Sequence, residues 1–351
     1  MTMLTRSGPL TPTGTVRTWE ERVTPLYRRT RTIAPPVVVV VIAAVLMGVV
    51  LGGAKLSLVD TAARIALLIA VAHAWNLLAG FAGLISLGTS AFVGAGAYTV
   101  AMAVANLGWP WWAALLLVVP AMLVVGYLLS IPLLRLRADY FAIGSFAALL
   151  ALHAIASNLG VFGRSMGVPM PTAALPDPRT TAALAIAVAA VTVLAVVYLS
   201  VSRFGLRLQA IRDNEAAAKT LGVAVKSSYL IVFVLSSVLT GLAGGVLALQ
   251  DGSATPANSF AMSWTIGALL MATVGGVGTV TGPVMGVFVV YWLLQKQLED
   301  FAALSLIIQG ALLIVLVRAA PTGIWPPVKR LGKTILLRTR DRRLASAGKK
   351  A

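Results

Sequence analysis

Residues 65–134 run for 70 positions without a single Asp, Glu, Lys or Arg. A water-soluble domain cannot absorb such a stretch, because each of its elements needs a polar face toward solvent. A bilayer can, and a helix needs about 20 apolar residues to cross one. The interval therefore holds three crossings once the span near residues 61–79 is included, with Gly80, Gly83 and the Trp109-Pro110-Trp111-Trp112 cluster marking the turns. The whole chain agrees, being 59% hydrophobic and only 11% charged, far from the balance of soluble domains.

Dividing the other apolar intervals by the same length brings the total to about ten crossings. Residues 37–54 form the first. Residues 140–159 and 181–201 form the fifth and sixth, separated by the loop GVFGRSMGVPMPTAALPDPRT, which is rich in Gly and Pro. Residues 229–250 follow as the seventh, residues 252–295 hold two spans broken near GGVGTVTGP, and residues 301–317 form the last. The expected fold class is all-α: a polytopic membrane protein that includes broken or re-entrant segments.

A net charge of +17 raises the question of nucleic acid, but 16 of the 28 basic residues lie in the tails, six before Pro35 and ten from Arg318 onward. That clustering fits a cytoplasmic rim beside anionic lipid, with nucleic acid excluded as a partner. With the N-terminus inside, ten crossings place Arg135 and Arg137, then residues 203–226, then the C-terminal tail on the cytoplasmic side. The expected organisation is a basic cytoplasmic tail (1–34), a transmembrane domain (35–320) with a cytoplasmic loop at 203–226, and a second basic cytoplasmic tail (321–351). The first 34 residues are too long and polar for a signal n-region, so the first helix is read as retained. The absence of cysteine rules out disulfides and thiol chemistry.

The motifs of enzymes are missing. His73 and His153 each stand alone in an apolar span and read as polar groups facing the bundle interior. Gly332-Lys333-Thr334 ends like a phosphate-binding loop, but Pro327 occupies the place of its first glycine. Asp60 and Arg64 stand four residues apart, a spacing that allows an ion pair on one helix face. It reads as a structural anchor.

Small residues carry more information. Ser90 with Gly94, Gly241 with Gly245, and Gly282 with Gly286 have the spacing of closely packed membrane helices. GFAGLISLGTSAFVGAGAY (80–98) and GGVGTVTGPVMG (275–286) concentrate such residues. Two readings stay open: broken backbone lining a solute path, or tight packing alone. On the first, the candidate pathway residues are Asn76, Ser86, Thr89, Ser90 and Tyr98, the polar groups in or beside the glycine-rich region.

RDNEAAAKTLG (212–222) is a charged island between apolar spans. Asp213 or Asn214 can cap a helix of about two turns, Glu215 suits its positive N-terminus, and Gly222 can end it in left-handed geometry. The alanines at 216–218 permit close approach of another protein, which favours docking over an ordinary solvated loop helix.

Four segments together resemble the LivM-type permeases of ABC importers for branched-chain amino acids. They are WNLLAGFAGLISLGTSAFVGAGAYT (75–99), RLRADYFAIGSFA (135–147), SRFGLRLQAIRDNEAAAKTLGVAVKSSYLIVFVLSSVLTGLAGGVLAL (202–249) and ALLMATVGGVGTVTGPVMG (268–286). The resemblance implies a bacterial inner-membrane subunit that pairs with a second, homologous permease and two cytoplasmic ATPase subunits and is fed by an external solute-binding protein. It implies no catalytic residue and no bound cofactor here, with ATP and Mg²⁺ used by the partners. Arg212, Asp213, Asn214, Glu215, Ala216, Ala217, Ala218 and Gly222 would form the helix seated on the ATPase. Thr89 stands where many members of the family carry histidine, a departure that bears on the solute. Urea and short amides are the alternative cargo, and a secondary transporter is the rival of another class.

Overall fold

The computed structural model describes residues 25–136 and 138–291, with isolated positions 307, 308 and 311. It is built of helices. They are α1 (Pro25–Leu51), α2 (Leu56–Asn76), α3 (Thr89–Ala105), α4 (Trp111–Leu133), α5 (Ala138–Asn158), α6 (Pro178–Val201), α7 (Arg203–Asp213), α8 (Glu215–Thr220), α9 (Val225–Asp251), α10 (Pro256–Ser259), α11 (Met262–Gly275) and α12 (Gly282–Val290). Two residues of β1 (Val168–Pro169) pair antiparallel with β2 (Ser253–Ala254), tying the Pro-rich loop to the end of α9.

Six helical stretches among the described residues are long and apolar enough to cross a membrane, and Val37–Leu51 and Thr89–Ala105 are shorter apolar helices. The chain is thus an all-α polytopic membrane protein. The expected spans at 37–54, 61–79, 140–159, 181–201 and 229–250 coincide with α1, α2, α5, α6 and α9, and the uncharged interval 65–134 does hold three helices. The count of ten is not reached among the described residues. The span expected at 301–317, apart from positions 307, 308 and 311, and the tails at 1–24 and 321–351 lie outside them.

Sequence chemistry sets the helix ends. Asp177 caps α6 by accepting from Arg179 N–H at 3.1 Å, with Pro178 as first helical residue. α4 keeps Pro120 and Pro132 inside it, as membrane helices do where neighbours compensate for the lost backbone bond. α3 has only 17 residues, about 26 Å of helix, less than a bilayer core of about 30 Å. Irregular backbone at residues 83–88 leads into it. Asp60 and Arg64 pair at 3.1 Å, and Gln250 Nε2 adds a bond to Asp60 at 2.6 Å, anchoring α2 to the end of α9.

α9 is the axis of the bundle, with 72% of its apolar window buried against 22% in α5. Small residues let its neighbours press onto backbone. A methyl group at Gly96 would run into the Gly241 carbonyl, and one at Gly244 into that of Val93, so α3 and α9 touch main chain to main chain. On another face Gly241 and Gly245 admit Met122, Val118 and Leu115 of α4. Gly286 meets the Met271 carbonyl, so α12 doubles back along α11. These are the close approaches by which membrane helices associate.

α4 runs antiparallel to α9, since Gly126 meets Ser237 while Gly245 meets Leu115. The α4–α5 turn with Arg135 therefore shares one end of the bundle with α7 and α8. The loop at 159–177 and the β1–β2 pair occupy the other end.

Candidate functional site

The polar island folds as two helices. Ser202 Oγ caps α7 by accepting from Gly205 N–H at 3.0 Å. The backbone then extends at Asn214, whose Oδ1 accepts from Ala217 N–H at 3.0 Å and starts α8. Glu215 sits in the first turn and pairs with Lys219 at 2.6 Å, the i,i+4 arrangement that supports a short helix. Gly222 ends it at φ +79°. Of the two expected caps, Asn214 is the one used. Asp213 instead accepts from Arg212 Nε and Nη2, at 3.1 and 3.0 Å.

α8 has two unlike faces. Ala218 is buried with Ile211 and Val225. Ala216, Ala217 and Thr220 are exposed on the other side, followed by Leu221 at 81% exposure. A leucine so open at the tip of a polar loop is a surface that a partner can cover.

Arg212 points back into the bundle. Its Nη1 donates to the Gly80 carbonyl at 2.7 Å. Gly80 lies in a π turn (Leu77–Phe81) that ends α2. The arginine stem rests on Gly83, where an added Cβ would fall 2.9 Å from Cγ and the backbone holds φ +76°. At the second glycine-rich break, a Cβ on Gly278 would fall 2.8 Å from Nη1. Asn76, fully buried, joins the two breaks: its Nδ2 donates to the Thr279 carbonyl at 2.9 Å, and its Oδ1 accepts from Gly278 N–H at 2.8 Å. The buried His73 ring stands 2.9 Å from the carbonyls of Ile69 and Val280. The island, the break after α2 and the break after α11 thus meet in one polar junction.

Ser86 and Ser90 have separate partners. The Ser86 carbonyl accepts from Trp75 Nε1 at 2.9 Å, and Ser86 Oγ accepts from Gly88 N–H at 3.2 Å. Ser90 N–H donates to Thr265 Oγ1 at 3.0 Å while Thr265 N–H donates to Ser90 Oγ at 3.2 Å. The first turns of α3 and α11 therefore satisfy each other's open donors across the bundle. Thr89 is buried beside them.

Tyr98 lies two turns farther along α3, facing a cavity of about 210 Å³ at the end away from the island. Of the five candidate pathway residues, Ser86, Thr89 and Ser90 are buried at and just before the start of α3 without a bond among them in the described contacts, Asn76 belongs to the junction, and Tyr98 stands apart. Thr265, Phe260 and Phe162 were not singled out from sequence. Nothing distinguishes a threonine or a phenylalanine in an apolar run until its neighbour is known.

A profile of the family described as branched-chain amino acid transport system, permease component, matches residues 57–317. The chain belongs to that family. A permease is a component of a transporter rather than an enzyme, and its place is the membrane. The high-affinity branched-chain amino acid transport permease LivM of Salmonella typhimurium is 26% identical over 76% of this chain and 70% of its own. LivM of Escherichia coli is 25% identical over the same shares. The xylose transport permease XylH of Escherichia coli is 36% identical, over 24% of this permease and 23% of its own chain. No solved structure matches the chain. A sugar permease among the relatives means that membership alone does not choose the solute.

Proposed function

We propose that this permease moves branched-chain or other apolar amino acids inward as one membrane subunit of an ABC importer in the bacterial inner membrane, with both termini cytoplasmic. A homologous permease pairs with it, an external binding protein delivers the solute, and two ATPase subunits that hold ATP and Mg²⁺ drive the cycle. The observation that carries this reading is α8, whose exposed Ala216, Ala217 and Leu221 face outward while the adjoining Arg212 grips Gly80. A push on α8 would reach both glycine-rich breaks through Arg212 and Asn76. These are the segments whose backbone can rearrange, as alternating access requires.

The apolar walls of the Tyr98 cavity favour an apolar solute over xylose or urea, which need several hydrogen-bond partners. Two measurements test the reading. Replacing Ala217 with Trp and Glu215 with Lys should release the ATPase subunits on co-purification; a complex that survives both changes sinks the docking role. Uptake of labelled leucine, urea and xylose in a strain lacking its own carriers should favour leucine.

A further inference from the structure

The loop that joins α5 to α6 begins as a small knob at residues 159–167, at the end of the bundle away from α8. Two 3₁₀ turns, Gly160–Phe162 and Arg164–Met166, meet through Gly163 at φ +74° and Arg164 at φ +53°. Arg164 is the sole non-glycine residue with positive φ among the described residues. Strain of this kind persists where the surroundings fix it, and it gathers at sites of function. The surroundings do fix it here. A Cβ at Gly163 would strike the Gly167 carbonyl, and one at Gly167 the Ala254 carbonyl, so the knob folds on itself and presses onto β2. Phe162 plants its base edge-on against Tyr98 of α3, with 5.7 Å between centroids. Met170 N–H donates to the Gly252 carbonyl at 3.0 Å, just after α9.

This rigid knob presents apolar groups outward. Met166 is 89% exposed, Val161 67% and Leu159 50%, and large apolar side chains set out together in water mark an interaction site. Arg164 beside them is exposed and makes no ion pair among the described residues. Position decides what can cover the tip. β1 rests on α3, and β2 on α3 and α9, the inner helices, each buried along most of its length. Lipid and a second membrane subunit flank the sides of the bundle, and the ATPase subunits belong at the α8 end. A partner that meets the outer end of α3 and α9 has to arrive through water.

We propose that residues 159–166 are a docking knob for the soluble external binding protein, which receives Met166 and Val161 in an apolar socket edged by carboxylates that pair with Arg164. The inference rests on the importer reading and adds a contact surface and its chemistry to it. Methionine and arginine are enriched in protein interfaces, and a flexible thioether adapts to a partner that must land and leave. The firm footing gives the contact a mechanical consequence. A load on the knob passes through the β1–β2 pair to the end of α9, and the start of α9 packs on α8 through Val225 and Ala218. The most deeply buried of the candidate spans thus joins the two ends of the molecule.

The test uses the assembled importer in nanodiscs with its purified binding protein. Because the chain contains no cysteine, mass added to this subunit of the Met166→Cys complex by a water-soluble maleimide reports position 166 alone. Labelling should be fast in the free complex and blocked by saturating binding protein. Met166→Asp should weaken binding of that protein about tenfold, as loss of an apolar anchor does. Arg164→Glu should weaken it about threefold at low salt and less at high salt, while Arg164→Lys binds like wild type. Recovery of the ATPase subunits and the thermal midpoint should stay unchanged in all of them, since both side chains are exposed. Slow labelling of the free complex would mean that lipid covers the tip. Unchanged labelling and affinity with a binding protein that stimulates ATP hydrolysis would mean that it docks elsewhere. Either result overturns the knob and leaves the importer reading standing, whereas a wild-type chain that recovers no ATPase subunits overturns both.

Discussion

Arg212→Ala is the perturbation that separates transmission from assembly. The substitution removes the bond from Nη1 to the Gly80 carbonyl at 2.7 Å and leaves the exposed face of α8 as it was. A hydrogen bond from a charged donor contributes about 1.5–3 kcal/mol. The Arg212 side chain is 37% exposed, so solvent screening reduces that to about 1–1.5 kcal/mol. If this bond carries the link between α8 and the break after α2, transport per ATP should fall about five- to tenfold. ATPase subunits should still co-purify and ATP hydrolysis should persist. A second substitution sharpens the argument, because an alanine at Gly83 would need φ +76° and would press on the arginine stem. Left-handed strain of about 1–2 kcal/mol remains whatever residue stands at 212, whereas the steric part disappears once Arg212 is gone. The double variant should therefore be less impaired than the two single effects added together. Parallel loss of uptake and ATPase recovery in Arg212→Ala would show that Arg212 holds α8 in place without transmitting anything, and strict additivity of the pair would refute the contact between the arginine stem and position 83.

Three further outcomes follow from the same geometry. Asn76→Ala should lower the thermal midpoint of the purified protein by an amount corresponding to about 1–3 kcal/mol, since it leaves Gly278 N–H and the Thr279 carbonyl without their partner in a partly buried site. A midpoint within error of wild type refutes the junction. Gly244→Leu should sharply reduce folded protein on size-exclusion chromatography, because its side chain would enter the Val93 backbone, and overpacking costs about 1–3 kcal/mol, with rigid main chain at the upper end. Asn214→Ala should speed hydrogen exchange in residues 215–220 through loss of a cap worth about 1 kcal/mol, while Asn214→Asp keeps the wild-type pattern; equal exchange in both variants contradicts the capping role.

Much of the fold was legible because lipid imposes a one-dimensional rule. A charge-free interval of known length must be helical, and α2, α5, α6 and α9 appear where that rule places them. It fails where a helix is shorter than the bilayer. α3 is buried along most of its length, and hydropathy cannot tell a short buried helix with irregular backbone from a full crossing. The local chemistry of α8 was legible for a related reason: Asn214, Glu215 and Gly222 act within one or two turns, so sequence spacing is spatial spacing.

The junction and the cavity were not legible, because both are made by residues far apart in sequence. Arg212 and Gly80 are 132 positions apart, and Ser90 and Thr265 are 175. The glycines at 80, 83 and 278 signalled a break in the backbone; only the fold reveals that an arginine from the polar island lies against all three. That placement also joins the two readings of the glycine-rich segments. Packing and movement are the same property here, since backbone held by a few polar bonds in place of interlocked side chains is the part of a membrane bundle that a small force at one end can shift.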